Sequence, residues 1–457
     1  MVDSERGPPL ELWHTVIPDE PRAAAIDRMD WAEWLAAEEA VFATVRREVV
    51  EKLPGSARRD DNRYFEDSPV HPARFDRDWN RSYVLEPERA PRGAVVLLHG
   101  LTDSPYTLRH VAALYRDRGF AAIGLRMPAH GTVPAALTDT VWEDWAAATR
   151  LAMREARRRA GEGAPVHIVG FSNGGALALM HALAAVDDPA LVAPEAIVLI
   201  SPMVGTSAFA RFAGLAGLPA FLPAFAKAAW LSRLPEFNPF KYTSFRVNAA
   251  RQTHRLTQAL QARICDHAED GRIARLPPVL AFQSMVDFTV STRAVVTALF
   301  AYLPENGSEL VLFDRNRASH LGPLLRPAYD TLVDRIVPAA PRPWRFVLVT
   351  SAEGSAAAVA RITDAGTTGE RIVPLAASYP RDVFSLSHVA LPFPVSDPLY
   401  GAAPEPPGAY GVELGTLGAR GEVGVLIVSL DTLARMSWNP FHDEMMARIA
   451  ALIPPAR

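Results

Sequence analysis

The sequence predicts an α/β protein with a mostly parallel sheet that carries helices on both faces. Short runs made only of apolar residues, such as 94–98 and 196–200, are typical of strands that are buried on both sides. These runs alternate along the chain with longer segments of helical periodicity, which is the order of elements expected for a parallel sheet. The chain has 457 residues, of which 49% are hydrophobic, and this is enough for a large core.

Residues 1–90 are predicted to form an N-terminal helical extension. Asp30 and Glu33 have the spacing of a capping box, which predicts a helix that begins there and ends near Leu53. This helix has one apolar face, so we expect it to pack on the main domain. The face consists of Trp34, Leu35, Val41, Phe42, Val45, Val49 and Val50.

Residues 91–340 are predicted to form the core of the protein. The predicted strands are 94–98, 120–125, 166–169, 196–200, 279–283 and 310–313, and the helices between them include 106–118, 142–159 and 175–183. The segment at about 203–262 interrupts this alternation. Its part 212–225 is apolar but broken by glycine and proline, and we interpret the whole segment as a helical lid that covers a functional site of the core. A buried helical hairpin is the alternative.

Residues 341–457 are predicted to form a C-terminal extension that completes or extends the core. We expect a strand at 345–350, a helix near 356–365, a strand at 424–428 and a final helix at 442–452. A proline-rich loop at 391–407 lies between these elements. The extension therefore adds strands to the sheet or elaborates its last loop.

Composition excludes several classes of function. A formal net charge of −4 argues against a nucleic acid or an anionic membrane surface as partner. The single cysteine, Cys265, excludes an internal disulfide and a cysteine-rich metal site. The first residues lack the basic and apolar parts of a signal peptide, and no long uncharged apolar run predicts a membrane span, so we expect a cytoplasmic protein.

The chemistry of the chain is concentrated in Gly170-Phe171-Ser172-Asn173-Gly174, a G-x-S-x-G pattern between a predicted strand and a predicted helix. A serine on so sharp a turn needs small neighbours two positions away on each side, and Gly170 and Gly174 supply them. The turn raises the Ser172 hydroxyl above the sheet and directs the first amides of the helix at an oxyanion. The alternative is a glycine-rich turn in which the serine caps the helix.

These residues resemble the α/β-hydrolase superfamily, in particular bacterial carboxylesterases and monoacylglycerol-lipase-like enzymes. The resemblance covers about residues 92–335 and includes the His99-Gly100 loop and the loop 127–131. It implies that the backbone N–H groups of Leu101 and Asn173 form an oxyanion hole. His99 and His130 are expected to orient their loops without taking part in the chemistry.

The resemblance also implies a Ser-acid-His order along the chain. Asp287 is the expected acid, because it follows the predicted strand 279–283; a helix cap is its alternative role. Two histidines are candidates for the base. His320 stands soon after the next strand, which is the ordinary place in the family. We prefer His388, because 385–394 and 397–401 resemble a signature of bacterial α/β hydrolases with long C-terminal extensions.

The implied activity is hydrolysis of carboxylic esters through an acyl-enzyme, without metal or organic cofactor. Trp142, Trp145 and the apolar lid suggest an apolar acyl group, as in a monoacylglycerol or a lysophospholipid, and contact between the lid and a lipid surface. A peptidase, an amidase or a thioesterase could use the same triad. A non-catalytic binding module is the alternative if no histidine reaches Ser172.

Overall fold

The computed structural model describes residues 9–205, 229–321, 324, 326–408, 410–416, 429, 433–435 and 437–455. Ten of the described strands form one sheet: β1 (Tyr83–Leu85), β2 (Ala94–Leu98), β3 (Ala121–Leu125), β4 (Val166–Phe171), β5 (Ala196–Ile200), β8 (Val279–Ser284), β9 (Glu309–Phe313), β10 (Arg345–Ser351), β11 (Ala358–Thr363) and β12 (Glu370–Pro374). Their order in the sheet is β1-β3-β2-β4-β5-β8-β9-β10-β11-β12. The strands from β3 to β10 in this order are parallel, and β1, β11 and β12 are antiparallel to their neighbours. The predicted mostly parallel sheet is thus confirmed.

A separate pair consists of β6 (Trp230–Ser232) and β7 (Phe245–Arg246). Every residue of β2, β3, β4, β5 and β8 is buried.

The central strands are apolar throughout because both of their faces are covered. In β5, Ile197 and Leu199 belong to one hydrophobic core, whereas Val198 and Ile200 belong to a second core on the other face. Successive side chains of a strand point to opposite faces, so a strand between two cores has no polar side. This explains why the sequence shows continuous apolar runs rather than an alternating pattern.

The α-helices of the described chain are α1 (Leu12–Thr15), α2 (Ala23–Ile26), α3 (Trp31–Val45), α4 (Arg109–Asp117), α5 (Trp142–Ala160), α6 (Asn173–Asp187), α7 (Val247–Glu269), α8 (Thr292–Ala298), α9 (Leu332–Ile336) and α10 (His442–Leu452). Residues of α3, α5, α6 and α7 contribute to the first core, and residues of α4 and α10 contribute to the second. Helices therefore cover both faces, as the sequence predicts.

The predicted N-terminal helix is present as α3, and its capping box of Asp30 and Glu33 forms in both directions. Its buried face also includes a charged residue, Glu38. The Glu38 carboxylate accepts a hydrogen bond of 2.9 Å from the buried guanidinium of Arg126, which also pairs with Glu20. These charged side chains can be buried because each of them is paired and hydrogen-bonded.

The C-terminal part of the chain extends the sheet. Strand β10 is parallel to β9, and β11 and β12 follow as an antiparallel continuation. The helix predicted near 356–365 is wrong, because β11 occupies Ala358–Thr363. The side chains of Ala358, Ala360 and Ile362 enter the second core, whereas Arg361 between them is exposed. Pairing with β10 thus overrides the helical propensity of the alanines.

Two predictions fall partly or wholly outside the described residues. The strand predicted at 424–428 lies outside them, and so do residues 206–228 of the predicted lid, which include the whole of its apolar part, 212–225. The described remainder of the predicted lid contains β6, β7 and the first part of α7. Among the helices in the described ranges, none is both long and apolar enough to cross a membrane.

Candidate active site

The G-x-S-x-G pattern lies where β4 ends and α6 begins. Ser172 has φ 54° and ψ −117°, a strained conformation for a residue with a side chain. A Cβ atom on Gly170 would lie 2.4 Å from the carbonyl oxygen of Gly174, and one on Gly174 would lie 2.0 Å from that of Leu98. The two glycines are therefore required by the tight turn, as the sequence predicts.

The two predicted oxyanion donors are both unused by the described part of the protein. The N–H groups of Leu101 and Asn173 form no backbone hydrogen bond there. Asn173 is the first residue of α6, where an N–H group has no partner within the helix. Its side-chain Oδ1 accepts a hydrogen bond of 3.2 Å from Thr253 of α7. The oxyanion role of these two N–H groups stays a prediction.

His99 explains how the Leu101 amide is oriented. Its Nδ1 lies 2.9 Å from the carbonyl oxygen of Gly100, and its Nε2 accepts a hydrogen bond of 3.1 Å from the N–H of Met127. Burial, together with the nearby His130, lowers the pKa of His99 well below its usual value, so the ring is neutral and donates from Nδ1. The Gly100 carbonyl and the Leu101 N–H share one planar peptide, so fixing the first directs the second the opposite way.

The loop 127–131 is held by its own histidine and by Trp145. Nδ1 of His130 lies 3.0 Å from the carbonyl oxygen of Pro128, which also accepts a hydrogen bond of 3.2 Å from Nε1 of Trp145. Trp145 is fully buried, so it packs beneath this loop. Trp142 instead lines a separate cavity of about 180 Å³ along α6, together with Leu177. A role for either tryptophan in acyl binding stays a prediction.

Asp287 lies in the loop after β8, with its side chain fully buried. Its Oδ1 accepts hydrogen bonds from the N–H groups of Thr289 and Val290, at 2.7 and 3.0 Å. Its Oδ2 lies 2.9 Å from Nδ1 of His388. The alternative role of Asp287 as a helix cap does not apply, because Ser291 caps α8.

The charge state of Asp287 follows from these contacts. Burial alone raises the pKa of a carboxyl group, but the adjacent His388 ring and the two backbone N–H donors outweigh it, so the pKa of Asp287 is lowered. The carboxylate is therefore ionised at neutral pH and accepts a hydrogen bond from Nδ1 of His388. In the neutral tautomer that carries its proton on Nδ1, the lone pair of the ring is on Nε2.

His388 lies beside the serine turn. It is 6% exposed, and the centroid of its ring is 5.0 Å from that of Phe171, the residue before Ser172. The Ser172 hydroxyl makes no hydrogen bond within the described ranges. The structure thus brings Asp287 and His388 into contact and places the His388 ring against Phe171, the neighbour of Ser172 in the chain.

His320 has different surroundings. It is exposed, and its Nε2 lies 3.2 Å from the guanidinium of Arg381 rather than near a carboxylate. The pairing with Asp287 is made by His388, the candidate that the sequence favours.

Sequence reasoning missed two polar residues at the end of β8. Gln283 is fully buried, and its Nε2 donates to Oδ2 of Asp287 at 3.2 Å. The hydroxyl of Ser284 donates a hydrogen bond of 2.8 Å to the carbonyl oxygen of Leu386. This bond connects β8, the strand before Asp287, to the loop that carries His388. A polar pair at the end of an otherwise apolar strand was the available signal.

A buried cluster around Asp397 connects the loop of His388 to the core. The Asp397 carboxylate contacts the hydroxyl of Tyr106 at 3.0 Å, the guanidinium of Arg109 at 2.8 Å and Nε2 of His110 at 2.9 Å. Burial raises the pKa of Asp397, but Arg109 and His110 outweigh this and hold the pKa well below its usual range.

This lowered pKa leads to a prediction on stability. A carboxyl whose pKa is lower in the folded state stabilises the fold above its unfolded pKa of about 4 and loses this contribution as the pH falls. We expect Asp397→Asn to lower the free energy of unfolding at pH 7 by about 3–5 kcal/mol, because Arg109 is left buried without a counter-ion. The difference from the wild type should shrink as the pH falls below 4, measured by urea unfolding.

The control is Asp364→Asn, which breaks an ion pair with Arg345 in which both side chains are about half exposed. We expect it to cost less than about 1 kcal/mol at neutral pH. Equal losses for the two variants would contradict the role of the Asp397 cluster.

In the described part of the chain, no group of three or more His, Cys, Asp or Glu side chains is arranged to hold a metal ion. The sheet, the strained serine turn and the paired Asp287 and His388 are the features of one class of protein. The chain has the α/β-hydrolase fold.

Comparisons with known proteins agree with this class. A family model described as "Serine aminopeptidase, S33" matches residues 89–315. A thermostable monoacylglycerol lipase from Bacillus sp. (strain H-257) is 30% identical over 118 residues, which cover 23% of this chain and 46% of that protein. The chain thus spans less than half the length of this relative. The predicted resemblance to carboxylesterases and monoacylglycerol-lipase-like proteins is confirmed.

Several solved structures are similar at lower identity. One, from work on the metagenome-derived lipolytic enzymes LipS and LipT, is 20% identical with a TM-score of 0.41 and covers 56% of this chain and 97% of its own. The monoacylglycerol lipase of Paleococcus ferrophilus is 18% identical with a TM-score of 0.37, covering 56% and 99%. Est1E from Butyrivibrio proteoclasticus with bound ferulic acid is 19% identical with a TM-score of 0.37, covering 51% and 84%.

Proposed function

We propose that this protein is a serine hydrolase that cleaves carboxylic esters through an acyl-enzyme. Ser172 is the nucleophile, His388 the base and Asp287 the acid. The observation that carries the proposal is the 2.9 Å contact between His388 and Asp287, which joins residues 101 positions apart in the sequence. The position of His388 beside Phe171 supports it further, since Ser172 is the next residue.

The first half of the reaction forms the acyl-enzyme. Nε2 of His388 takes the proton of the Ser172 hydroxyl as its oxygen attacks the carbonyl carbon of the ester. Asp287 holds the ring by its Nδ1 proton and stabilises the imidazolium that results. A serine–histidine hydrogen bond is often long without substrate and shortens in the complex, so the free state of the Ser172 hydroxyl is compatible with this step.

The tetrahedral intermediate carries its negative charge on the former carbonyl oxygen. The N–H groups of Leu101 and Asn173 are the proposed donors to this oxyanion, and one such donor contributes about 3–4 kcal/mol to transition-state stabilisation. The imidazolium then protonates the leaving alcohol. A water molecule, deprotonated by His388, repeats the attack on the acyl-enzyme and releases the acid.

We propose an apolar acyl group, since the relative with the 118-residue match is named a monoacylglycerol lipase. The described part of the segment predicted as a lid includes Thr253, whose hydroxyl donates a hydrogen bond to the side chain of the proposed oxyanion residue Asn173. A monoacylglycerol or a lysophospholipid fits these features.

The test is hydrolysis of p-nitrophenyl esters with acyl chains from acetate to palmitate, with Ser172→Ala as the blank. We expect turnover by the wild type, with a chain-length profile that measures the acyl pocket. If no ester is hydrolysed and a fluorophosphonate does not label Ser172, the proposal fails and the binding-module interpretation replaces it.

Amide hydrolysis is the second candidate, because the matching family model is described as a serine aminopeptidase. The same triad can cleave an amide if the leaving amine is protonated by His388. Amino-acid p-nitroanilides, assayed beside p-nitrophenyl esters of the same amino acids, separate the two activities. We expect activity on the esters alone; a higher kcat/KM on the anilides would favour the peptidase.

A further inference from the structure

The loop after β9 makes several hydrogen bonds with the segment that leads to His388. This loop, residues 314–320, is where the family ordinarily carries its base. Here Asn316, which is 1% exposed, donates from its backbone N–H to the carbonyl oxygen of Phe384 at 2.8 Å. Its Nδ2 donates to the carbonyl oxygens of Pro380 and Val383 at 2.9 and 2.8 Å.

The side chain of Asn316 has no freedom left after these contacts. Its Oδ1 accepts a hydrogen bond of 3.0 Å from the N–H of Ala318, so both ends of the amide are fixed. Ser319 and the backbone N–H of His320 donate to the carbonyl oxygen of Arg381, at 3.1 and 3.0 Å. The loop after β9 thus binds the backbone of 380–384 at several points.

These contacts lie close to the base. Phe384 precedes His388 by four residues, and Leu386 between them is held by the Ser284 hydroxyl at the end of β8. Two residues of the short segment before His388, Phe384 and Leu386, are therefore held by hydrogen bonds from Asn316 and Ser284. A displacement of 380–384 moves the ring relative to Asp287 and Ser172.

We propose that Asn316 is a positioning residue that seats the loop of His388 so that its ring meets both Asp287 and Ser172. The inference rests on the proposed function, since it assigns His388 as the base. In this chain the loop that ordinarily carries the base has become the support of a base supplied from beyond β10, β11 and β12. Asn316 acts through His388, because the hydrogen bonds of its side chain go to Pro380, Val383 and Ala318.

The rival explanation is that Asn316 only stabilises the fold, and Asn62 is the matched control for it. Asn62 is also 1% exposed, and its Nδ2 donates to the carbonyl oxygen of Ala57 at 2.8 Å while its Oδ1 accepts from the N–H of Tyr64 at 3.1 Å. It organises a loop of the N-terminal extension. A purely structural role predicts the same kinetic consequences for both asparagines.

The experiment compares Asn316→Ala, Asn316→Asp and Asn62→Ala by thermal unfolding and by kcat and KM on p-nitrophenyl butyrate. Asn316→Asp keeps the shape of the side chain but places a carboxylate against two carbonyl oxygens. We expect both Asn316 variants to lose about 10–100-fold in kcat with KM changed less than about threefold, because a small displacement of the base affects the transition state. Asn62→Ala should keep its kcat.

A second readout does not depend on ester hydrolysis. The proton between His388 and Asp287 should give a low-field NMR resonance in the wild type that is absent from His388→Ala. We expect this resonance to shift or broaden in both Asn316 variants and to be unchanged in Asn62→Ala. An unchanged resonance and kcat in Asn316→Asp, or equal losses in Asn62→Ala, would overturn the inference. Absence of hydrolysis by the wild type would instead contradict the proposed function.

Discussion

Replacement of Ser172 by alanine is expected to reduce ester hydrolysis by about 10⁴-fold or more, because the attacking oxygen is removed. The oxyanion donors and the pair of Asp287 and His388 remain, so substrate binding should change little. The fold should also be unaffected, since alanine keeps the Cβ atom in the same strained turn. The measurement is kcat and KM on the ester with the highest wild-type activity.

The strain at Ser172 provides a control for this variant. Glycine adopts φ 54° without the steric penalty of a side chain, so Ser172→Gly should be inactive and yet more stable than Ser172→Ala, by up to about 1 kcal/mol. Substantial hydrolysis by either variant would show that the activity belongs to another residue or to a contaminant.

The second large effect concerns the base. We expect His388→Ala to lose about 10⁴-fold in kcat, because no group remains to take the proton of Ser172. His320→Ala is the matched control, since it removes an imidazole from the ordinary place for the base in the family. It should keep its kcat within about twofold. The measurement is kcat for both variants, with unfolding temperatures to establish that both are folded.

The opposite result is equally informative. If His320→Ala loses its activity and His388→Ala remains active, the catalytic structure differs from the one described, and Asp287 would have to change partner. Loss of activity in both variants together with lowered unfolding temperatures would indicate that His388 supports the loop rather than the chemistry.

The parts of the site that depend on local sequence were predictable. The turn around Ser172 requires small residues at Gly170 and Gly174 for steric reasons, and these are visible in the sequence. The loop at Gly100 was predicted from its resemblance to the oxyanion loop of α/β hydrolases, and its oxyanion role stays a prediction. Asp287 could be predicted as the acid because it follows a strand that is apolar on both faces.

The base could not be decided from spacing alone. Its loop lies beyond three strands, and only pairing of β10 with β9 brings it back to the sheet. Local propensity gives no information on such contacts, and it gave the wrong element at Ala358–Thr363, where pairing with β10 decides the structure. The burial of Glu38 was not predicted for a related reason, since the partner of its carboxylate, Arg126, is far away in the sequence.

Asn316 illustrates the same limit at the level of a single side chain. In the sequence it is one polar residue in an arginine-rich loop. Its partners, Pro380 and Val383, lie more than sixty positions away. Such a role becomes visible only when the fold has brought the two segments together.

The most direct test of the central claim is the rate at which a fluorophosphonate labels Ser172, with the adduct located by peptide mass spectrometry. We predict a single adduct on Ser172. The labelling rate should be at least about 10³-fold lower in His388→Ala than in the wild type, and in His320→Ala it should be within about twofold of the wild type. An adduct on another residue, or equal labelling of the wild type and His388→Ala, would contradict the central claim.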